Sequence, residues 1–243
     1  MSAGAKDTAV NAKDRLIVAL DVPSAAQATE LAAQLRGTCR WVKVGLELYL
    51  AAGTAMVEEL TAQGFSLFLD LKFHDIPNTV AGAVRSAASM GASLLTIHAA
   101  GGPAMLRAAA EAAAATKNAP QLLAVTVLTS MDKEQLAAIG IETSAADQVL
   151  RLARMAIESD IRGLVCSPEE VALLRRELGS EQRLVVPGIR PAGAAAGDQK
   201  RIATPADAIR AGANQLVVGR PVTQAADPAK AAQAILDEIG SAV

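Results

Sequence analysis

Two carboxylates and one ammonium group lie within six residues of one another, at the end of a single apolar segment of this chain. Residues 65–69, FSLFL, read as a buried strand, and Asp70 and Lys72 stand at its end, where strand alternation aims both side chains to one side. Asp75 follows in the next turn. Such charges are costly to remove from water unless they pair or take part in chemistry. A structural ion pair is the commoner role of an isolated Asp-x-Lys, but the density of charge here favours a functional site.

The elements that must position these charges repeat along the whole chain. Apolar, β-branched runs predict strands at residues 15–22, 41–45, 65–72, 94–99, 122–128, 163–167, 183–188 and 215–220. Helical periodicity predicts helices at residues 24–35, 54–63, 80–90, 103–115, 145–159, 168–178, 205–211 and 228–239. Eight alternations predict an α/β fold, a single-domain (β/α)8 TIM barrel over residues 15–243 that follows a loose leader of residues 1–14. A doubly wound open sheet is the alternative, but the first strand lacks a glycine-rich turn after it.

Local signals support these boundaries. Glycines that precede predicted strands are expected to end helices with a positive φ: Gly64, Gly91, Gly163 and Gly212. Hydroxyl residues that precede predicted helices are expected to act as N-caps: Ser24, Ser167 and Thr204.

The composition argues against several classes of protein. The formal charge of −2 over 243 residues does not suit binding to nucleic acid or a membrane surface by bulk charge. The apolar runs have strand length, and the first residues lack the pattern of a signal peptide, so we expect a cytoplasmic protein. Cys39 and Cys166 form neither a disulfide framework nor a metal-binding pattern.

Polar residues collect where the predicted strands end, which is where such barrels build their active sites. They are Asp21 after the first strand, Lys43 within the second, Asp70 and Lys72 at the third, His98 at the fourth, Thr129 and Ser130 at the fifth, Arg190 after the seventh, and Gly219 and Arg220 after the eighth. The apolar neighbours of Lys43 predict a carboxylate partner for it. A core histidine is the simpler interpretation of His98.

The last two strand ends predict a phosphate site. Barrels often bind phosphate in the loops after strands seven and eight, and Gly219 with Arg220 offers a backbone amide and a guanidinium there. Residues 190–204 are rich in Gly, Ala and Pro, which predicts a lid able to close over an anionic ligand.

Together these residues resemble the orotidine 5'-phosphate decarboxylase family. The similarity runs from residue 16 to about residue 228 and is most specific in the run DLKFHDIPNT at residues 70–79. A bare Asp-x-Lys-x-x-Asp also occurs in related barrels that act on sugar phosphates. The resemblance implies decarboxylation of orotidine 5'-monophosphate to UMP without a cofactor or metal, the last step of de novo pyrimidine nucleotide synthesis.

The resemblance also implies the residue roles. Lys72 would protonate C6 of the pyrimidine, Asp70 would face the departing carboxylate, and Lys43 and Asp75 would complete the array Lys43–Asp70–Lys72–Asp75. A homodimer is implied, with Asp75 and Thr79 reaching the neighbouring site. The implied substrate contacts are Asp21, Lys43 and Thr79 at the ribose, Thr129 at the pyrimidine amide, Gln199, Gly219 and Arg220 at the phosphate, and Arg190 in the lid.

Two other functions stay open. A metal-dependent sugar-phosphate decarboxylase or aldolase would need a metal ligand near the second strand, where this chain has the cation Lys43. A non-catalytic sensor of nucleotide phosphates would be expected to have lost Lys72 or one of its carboxylate partners. Lys72, Asp70 and Asp75 are all present.

Overall fold

Eight parallel strands close into a barrel in the computed structural model, which describes residues 11–191 and 202–242. The strands are β1 (Leu16–Ala19), β2 (Trp41–Gly45), β3 (Ser66–Phe73), β4 (Leu94–His98), β5 (Gln121–Val125), β6 (Gly163–Val165), β7 (Arg183–Val186) and β8 (Gln215–Val218). Each strand pairs with the next, and β8 pairs with β1. The strands are apolar over most of their length because both faces of a parallel barrel are covered. The predicted (β/α)8 barrel is confirmed.

Helices connect the strands around the outside of the barrel. They are α1 (Ala12–Arg15), α2 (Ala25–Leu35), α3 (Leu46–Ala62), α4 (Pro77–Ser89), α5 (Gly102–Ala114), α6 (Lys133–Ala138), α7 (Ala145–Glu158), α8 (Val171–Leu178), α9 (Pro205–Arg210), α10 (Arg220–Thr223) and α11 (Pro228–Gly240). The sequence pattern missed α1, α6 and α10, which are too short to show a clear helical period. It also began α3 eight residues late, because Gly53, with a φ of 65°, interrupts the helix.

Most of the local signals act as expected. Gly64, Gly91 and Gly212 have positive φ, and the hydroxyls of Ser24 and Thr204 accept hydrogen bonds from the first turns of α2 and α9. The prediction for Gly163 was wrong, since this residue begins β6 and does not have a positive φ. A Cβ at this position would overlap the carbonyl oxygen of Leu122, so glycine is needed there for the close approach of β5 and β6.

The barrel interior is filled at one level by large apolar side chains. This cluster consists of Ile17, Trp41, Phe68, Leu94, Leu123 and Val185, while a larger core packs the outer faces of the strands against the helices. Phe68 also lines a cavity at the C-terminal ends of the strands, so the cluster gives that cavity a closed floor. Within the described residues, no helix is both long and apolar enough to cross a membrane.

Candidate active site

A cavity of about 460 Å³ opens at the C-terminal ends of the strands. Its floor is apolar and includes Phe68, Val125, Val165 and Val217. Its walls carry most of the polar residues that the sequence analysis selected: Asp21, Lys43, Asp70, Lys72, Thr129, Arg190, Gly219 and Arg220. The strand ends therefore bring these eight residues together, as the barrel topology predicts.

Four of these side chains form a continuous row of alternating charge from β1 to β3. Lys43 Nζ lies 2.8 Å from Asp21 Oδ1 and 3.4 Å from Asp70 Oδ2. Lys72 Nζ lies 2.9 Å from Asp70 Oδ1. The Lys43 side chain is 8% exposed and that of Asp70 is 12% exposed, whereas Asp21 and Lys72 are more open, at 52% and 31%. The most buried pair thus lies in the middle of the row.

The charges keep the middle pair ionised despite burial. Burial alone would lower the pKa of the Lys43 ammonium, but the carboxylates of Asp70 and Asp21 outweigh it and raise that pKa above its ordinary value. Burial alone would likewise raise the pKa of Asp70, but Lys43, Lys72 and a hydrogen bond from Thr96 lower it. The predicted carboxylate partner of Lys43 is therefore present twice.

Asp70 and Lys72 reach the same cavity, but not through regular strand alternation. The pairing of β3 with β4 shifts register between Leu69 and Phe73, and Lys72 has a φ of 51°, in the left-handed region that few non-glycine residues adopt. A bulge at the end of β3 therefore directs the two side chains. The sequence analysis predicted their convergence correctly and its geometric cause wrongly.

Asp75 and Thr79 do not line this cavity within their own chain. Asp75 is exposed, and its Oδ1 accepts a hydrogen bond from the N–H of Ile76 at the start of α4. Thr79 is exposed in the first turn of the same helix. In the single chain, the fourth member of the charged row is Asp21, not Asp75.

The rest of the cavity wall includes residues that follow β5, β7 and β8. Arg190, which the resemblance puts in the lid, is only 8% exposed as a residue and lines the cavity, and its N–H donates to the carbonyl of Ala203. Residues 192–201, most of the predicted lid, lie outside the described residues. Gly219 and Arg220 lie where β8 passes into α10, and Gln199 lies outside the described residues.

Residues 14–235 match the Orotidine 5'-phosphate decarboxylase / HUMPS family. The chain belongs to this family. It is 55% identical over 228 residues to a relative named orotidine 5'-phosphate decarboxylase from Halorhodospira halophila, covering 94% of this chain and 97% of that one. A relative of the same name from Nitrosococcus oceani is 53% identical over 230 residues, covering 94% and 99%. The crystal structure of orotidine 5'-phosphate decarboxylase from Lactobacillus acidophilus aligns with a TM-score of 0.82 and 40% identity, over 93% of this chain and 99% of that chain.

Two residues that shape this candidate site were missed by the sequence analysis. A Cβ on Gly45 would lie 2.8 Å from Asp21 Oδ1 and 2.9 Å from Lys43 Nζ, so a larger residue there would displace the ends of the side chains that form this ion pair. Thr96, on β4, donates its hydroxyl proton to Asp70 Oδ1 and accepts the N–H of Lys72. Neither carries a charge or a motif, and both act across strands, so nothing in the linear sequence singled them out.

The two histidines of the chain lie together beside the site. The rings of His74 and His98 have centroids 5.4 Å apart. Burial lowers the pKa of His98, and the nearby His74 and Lys72 lower it further. The imidazole of His98 is therefore neutral at neutral pH. Among the described residues, no group of three or more His, Cys, Asp and Glu side chains is arranged to hold a metal ion.

Proposed function

We propose that this protein decarboxylates orotidine 5'-monophosphate to UMP and CO2 without a cofactor, in the cytoplasm, as the last step of de novo pyrimidine nucleotide synthesis. Family membership and the names of the relatives at 55% and 53% identity support the reaction. The observation that carries the mechanism is the Lys72 ammonium, held 2.9 Å from Asp70 at the wall of a cavity with an apolar floor. Such a site can present a proton to a carbanion while limiting access of water.

The chemistry requires charge stabilisation by the protein. When the bond between C6 and the carboxylate breaks, its electron pair stays on C6 and CO2 leaves as a neutral molecule. The ring offers no electron sink for this pair, so a preorganised cation is the means of stabilising it. The Lys72 ammonium faces the carbanion and transfers a proton to C6, and the neutral amine then regains a proton from solvent.

Asp70 has two functions in this proposal. It pairs with both lysines and so fixes the position of the Lys72 ammonium. It also lies beside the substrate carboxylate, a contact between like charges that is relieved as neutral CO2 departs. Lys43 contacts the other oxygen of the buried Asp70 carboxylate, and this contact keeps the carboxylate ionised.

The remaining walls suit the rest of the nucleotide. Asp21 and Lys43 would contact the ribose hydroxyls, and Thr129 would bind the pyrimidine amide. The Gly219 backbone and the Arg220 guanidinium, together with Gln199, would hold the phosphate, and Arg190 would take part in the lid predicted for residues 190–204. Because the phosphate lies away from C6, its binding energy can be used to assemble the closed site.

We further propose a homodimer in which Asp75 and Thr79 contribute to the neighbouring site. Residues 74–79 form a continuous exposed stretch. Large apolar side chains at the same end of the barrel are also exposed: Ile76 at 66%, and Leu46 and Leu50, one turn apart on α3, at 53% and 82%. These exposed apolar side chains, together with the exposed Asp75, support a face that another subunit covers.

Spectrophotometry of orotidine 5'-monophosphate with chelator-treated protein tests the reaction. We expect loss of the substrate absorbance band with formation of UMP, at a rate unchanged by restoring Mg²⁺. A folded protein that left this nucleotide intact, but acted on a 3-keto sugar 6-phosphate with Mg²⁺ present, would overturn the proposal in favour of the sugar-phosphate branch of the family. The cation Lys43 at the strand-two position argues against that outcome.

A further inference from the structure

The bulge at the end of β3 places three residues opposite one. Leu69 pairs with Leu95, and the next registered pair is Phe73 with Ile97. Residues 70–72 of β3 therefore lie opposite Thr96 alone, two residues more than a regular ladder allows. Asp70 and Lys72 are the first and last residues of this insertion.

The Thr96 side chain takes over hydrogen bonding across the bulge. Its Oγ1 lies 2.9 Å from the Lys72 backbone nitrogen and 2.9 Å from Asp70 Oδ1, and the residue is 0% exposed. A backbone N–H can only donate, so the hydroxyl accepts from Lys72 and its one proton is directed to Asp70. One hydroxyl thus joins the backbone of the lysine to the carboxylate that pairs with its ammonium.

The Lys72 backbone needs this support. Its φ of 51° is strained for a residue with a side chain, and such conformations persist at functional sites only where the surroundings fix them. The Lys72 N–H bond to Thr96 supports the strained backbone directly. The Thr96 bond to Asp70 fixes the carboxylate that holds the Lys72 ammonium.

We propose that Thr96 is a positioning residue for the decarboxylation, acting through Lys72 and Asp70. It does not line the cavity, so its effect reaches the reacting carbon only through those two side chains. The inference rests on the proposed function for its kinetic consequence. Its structural part, that the Thr96 hydroxyl holds the left-handed Lys72, can be tested without any turnover.

Two substitutions separate positioning from packing. Thr96→Val keeps the shape of the side chain and removes the hydroxyl, whereas Thr96→Ser keeps the hydroxyl and removes a methyl group. If Thr96 only fills space, Thr96→Ser should lower kcat more than Thr96→Val does, because buried methyl groups contribute packing. If Thr96 is a positioning residue, Thr96→Val should lower kcat more. Thr96→Cys, with its weakly hydrogen-bonding thiol, replaces the valine variant if that one does not fold.

The expected kinetic result is a fall in kcat with little change in ligand affinity. Since small misplacements of catalytic groups cost up to about 100-fold in rate, we expect Thr96→Val to lower kcat roughly 10- to 100-fold. Its dissociation constant for UMP, measured by calorimetry, should change less than about threefold, because the proposed phosphate contacts Gly219 and Arg220 follow β8 and belong to neither β3 nor β4. Thr96→Ser should stay within about threefold of the parent in both quantities. A kcat for Thr96→Val equal to or above that of Thr96→Ser would overturn the proposal.

Crystal structures of the two variants supply the independent readout. We expect Lys72 to keep its positive φ and its contact with Asp70 in Thr96→Ser, and to lose one or both in Thr96→Val. An unmoved Lys72 in Thr96→Val would overturn the proposal whatever the activity. If the parent protein fails to act on orotidine 5'-monophosphate but Lys72 moves as expected, the proposed reaction fails while the structural assignment of Thr96 stands.

Discussion

Asp70 Oδ2 lies 3.4 Å from the Nζ of Lys43, and both side chains are largely buried. The other oxygen of Asp70 pairs with Lys72, so one carboxylate joins cations from two adjacent strands. This arrangement fixes the lysine ammonium that the proposed reaction needs, and it makes the buried pair a source of stability that depends on pH.

Asp70→Asn should destabilise the protein by about 3 kcal/mol at neutral pH, because removing one member of a buried ion pair leaves its partner poorly compensated. Urea unfolding measures this. Glu177→Gln is the matched control, since Glu177 also lies between two cations, Arg154 and Arg176, but at the surface. We expect the control to lose less than about 1 kcal/mol. Equal losses in the two variants would contradict the importance of burial.

The pH dependence of unfolding follows from the same pair. The pKa of Asp70 is lowered on folding. Its contribution to the free energy of unfolding is therefore present above about pH 4 and is lost as the pH falls through the folded pKa. The difference in free energy of unfolding between the parent and Asp70→Asn should therefore become smaller in acid. The pKa of Lys43 is raised, so its contribution is present below about pH 10.4 and is lost as the pH rises through the folded pKa.

Gly45→Ala should disturb the pair of Asp21 with Lys43. The backbone of Gly45, with φ −97° and ψ −175°, is open to any residue, so the effect comes from the added Cβ alone. We expect kcat/KM for orotidine 5'-monophosphate to fall at least about tenfold, because the ribose contacts and the charged row both shift. Gly240→Ala, where an added Cβ meets no atom within 4 Å, is the control and should behave as the parent does. Full activity of Gly45→Ala would show that the pair tolerates displacement.

Arg220→Ala should weaken phosphate binding selectively. Hydrogen bonds to charged groups contribute about 1.5–3 kcal/mol, which is roughly a 10- to 100-fold loss of affinity for UMP. Affinity for uridine, which lacks the phosphate, should not change. Calorimetric titration of both ligands measures this, with Arg210→Ala, an exposed arginine paired with Asp207 on α9, as the control. An equal loss for uridine would remove Arg220 from the phosphate site.

Mixing inactive variants tests the shared dimer site. If Asp75 serves the neighbouring subunit, a mixed dimer of Lys72→Ala with Asp75→Asn contains one site that keeps both residues. Random reassortment of equal amounts should then restore roughly one quarter of the parent activity. Each variant alone provides the baseline. If subunit exchange is demonstrated and activity does not recover, Asp75 does not act in the neighbouring site.

The sequence was sufficient for the barrel because the strands are continuous apolar runs and the helices have clear periodicity. It was also sufficient to select the polar residues at the strand ends, since topology alone brings Asp21, Lys43, Asp70 and Lys72 to one rim. The bulge could not be predicted, because it depends on the register between β3 and β4. Thr96 and Gly45 were missed for the same reason: each acts on residues of another strand, at distances that only the folded chain defines.

The turnover of orotidine 5'-monophosphate by Lys72→Ala, compared with the parent, tests the central claim most directly. We expect Asp70 to keep its contact with Lys43 in this variant, and UMP binding by calorimetry checks that the site is intact. Positioned proton donors contribute typically about 10²- to 10⁴-fold, so we expect kcat to fall by at least about 100-fold while UMP affinity stays within about tenfold. Turnover near that of the parent would contradict the assignment of Lys72 as the proton donor.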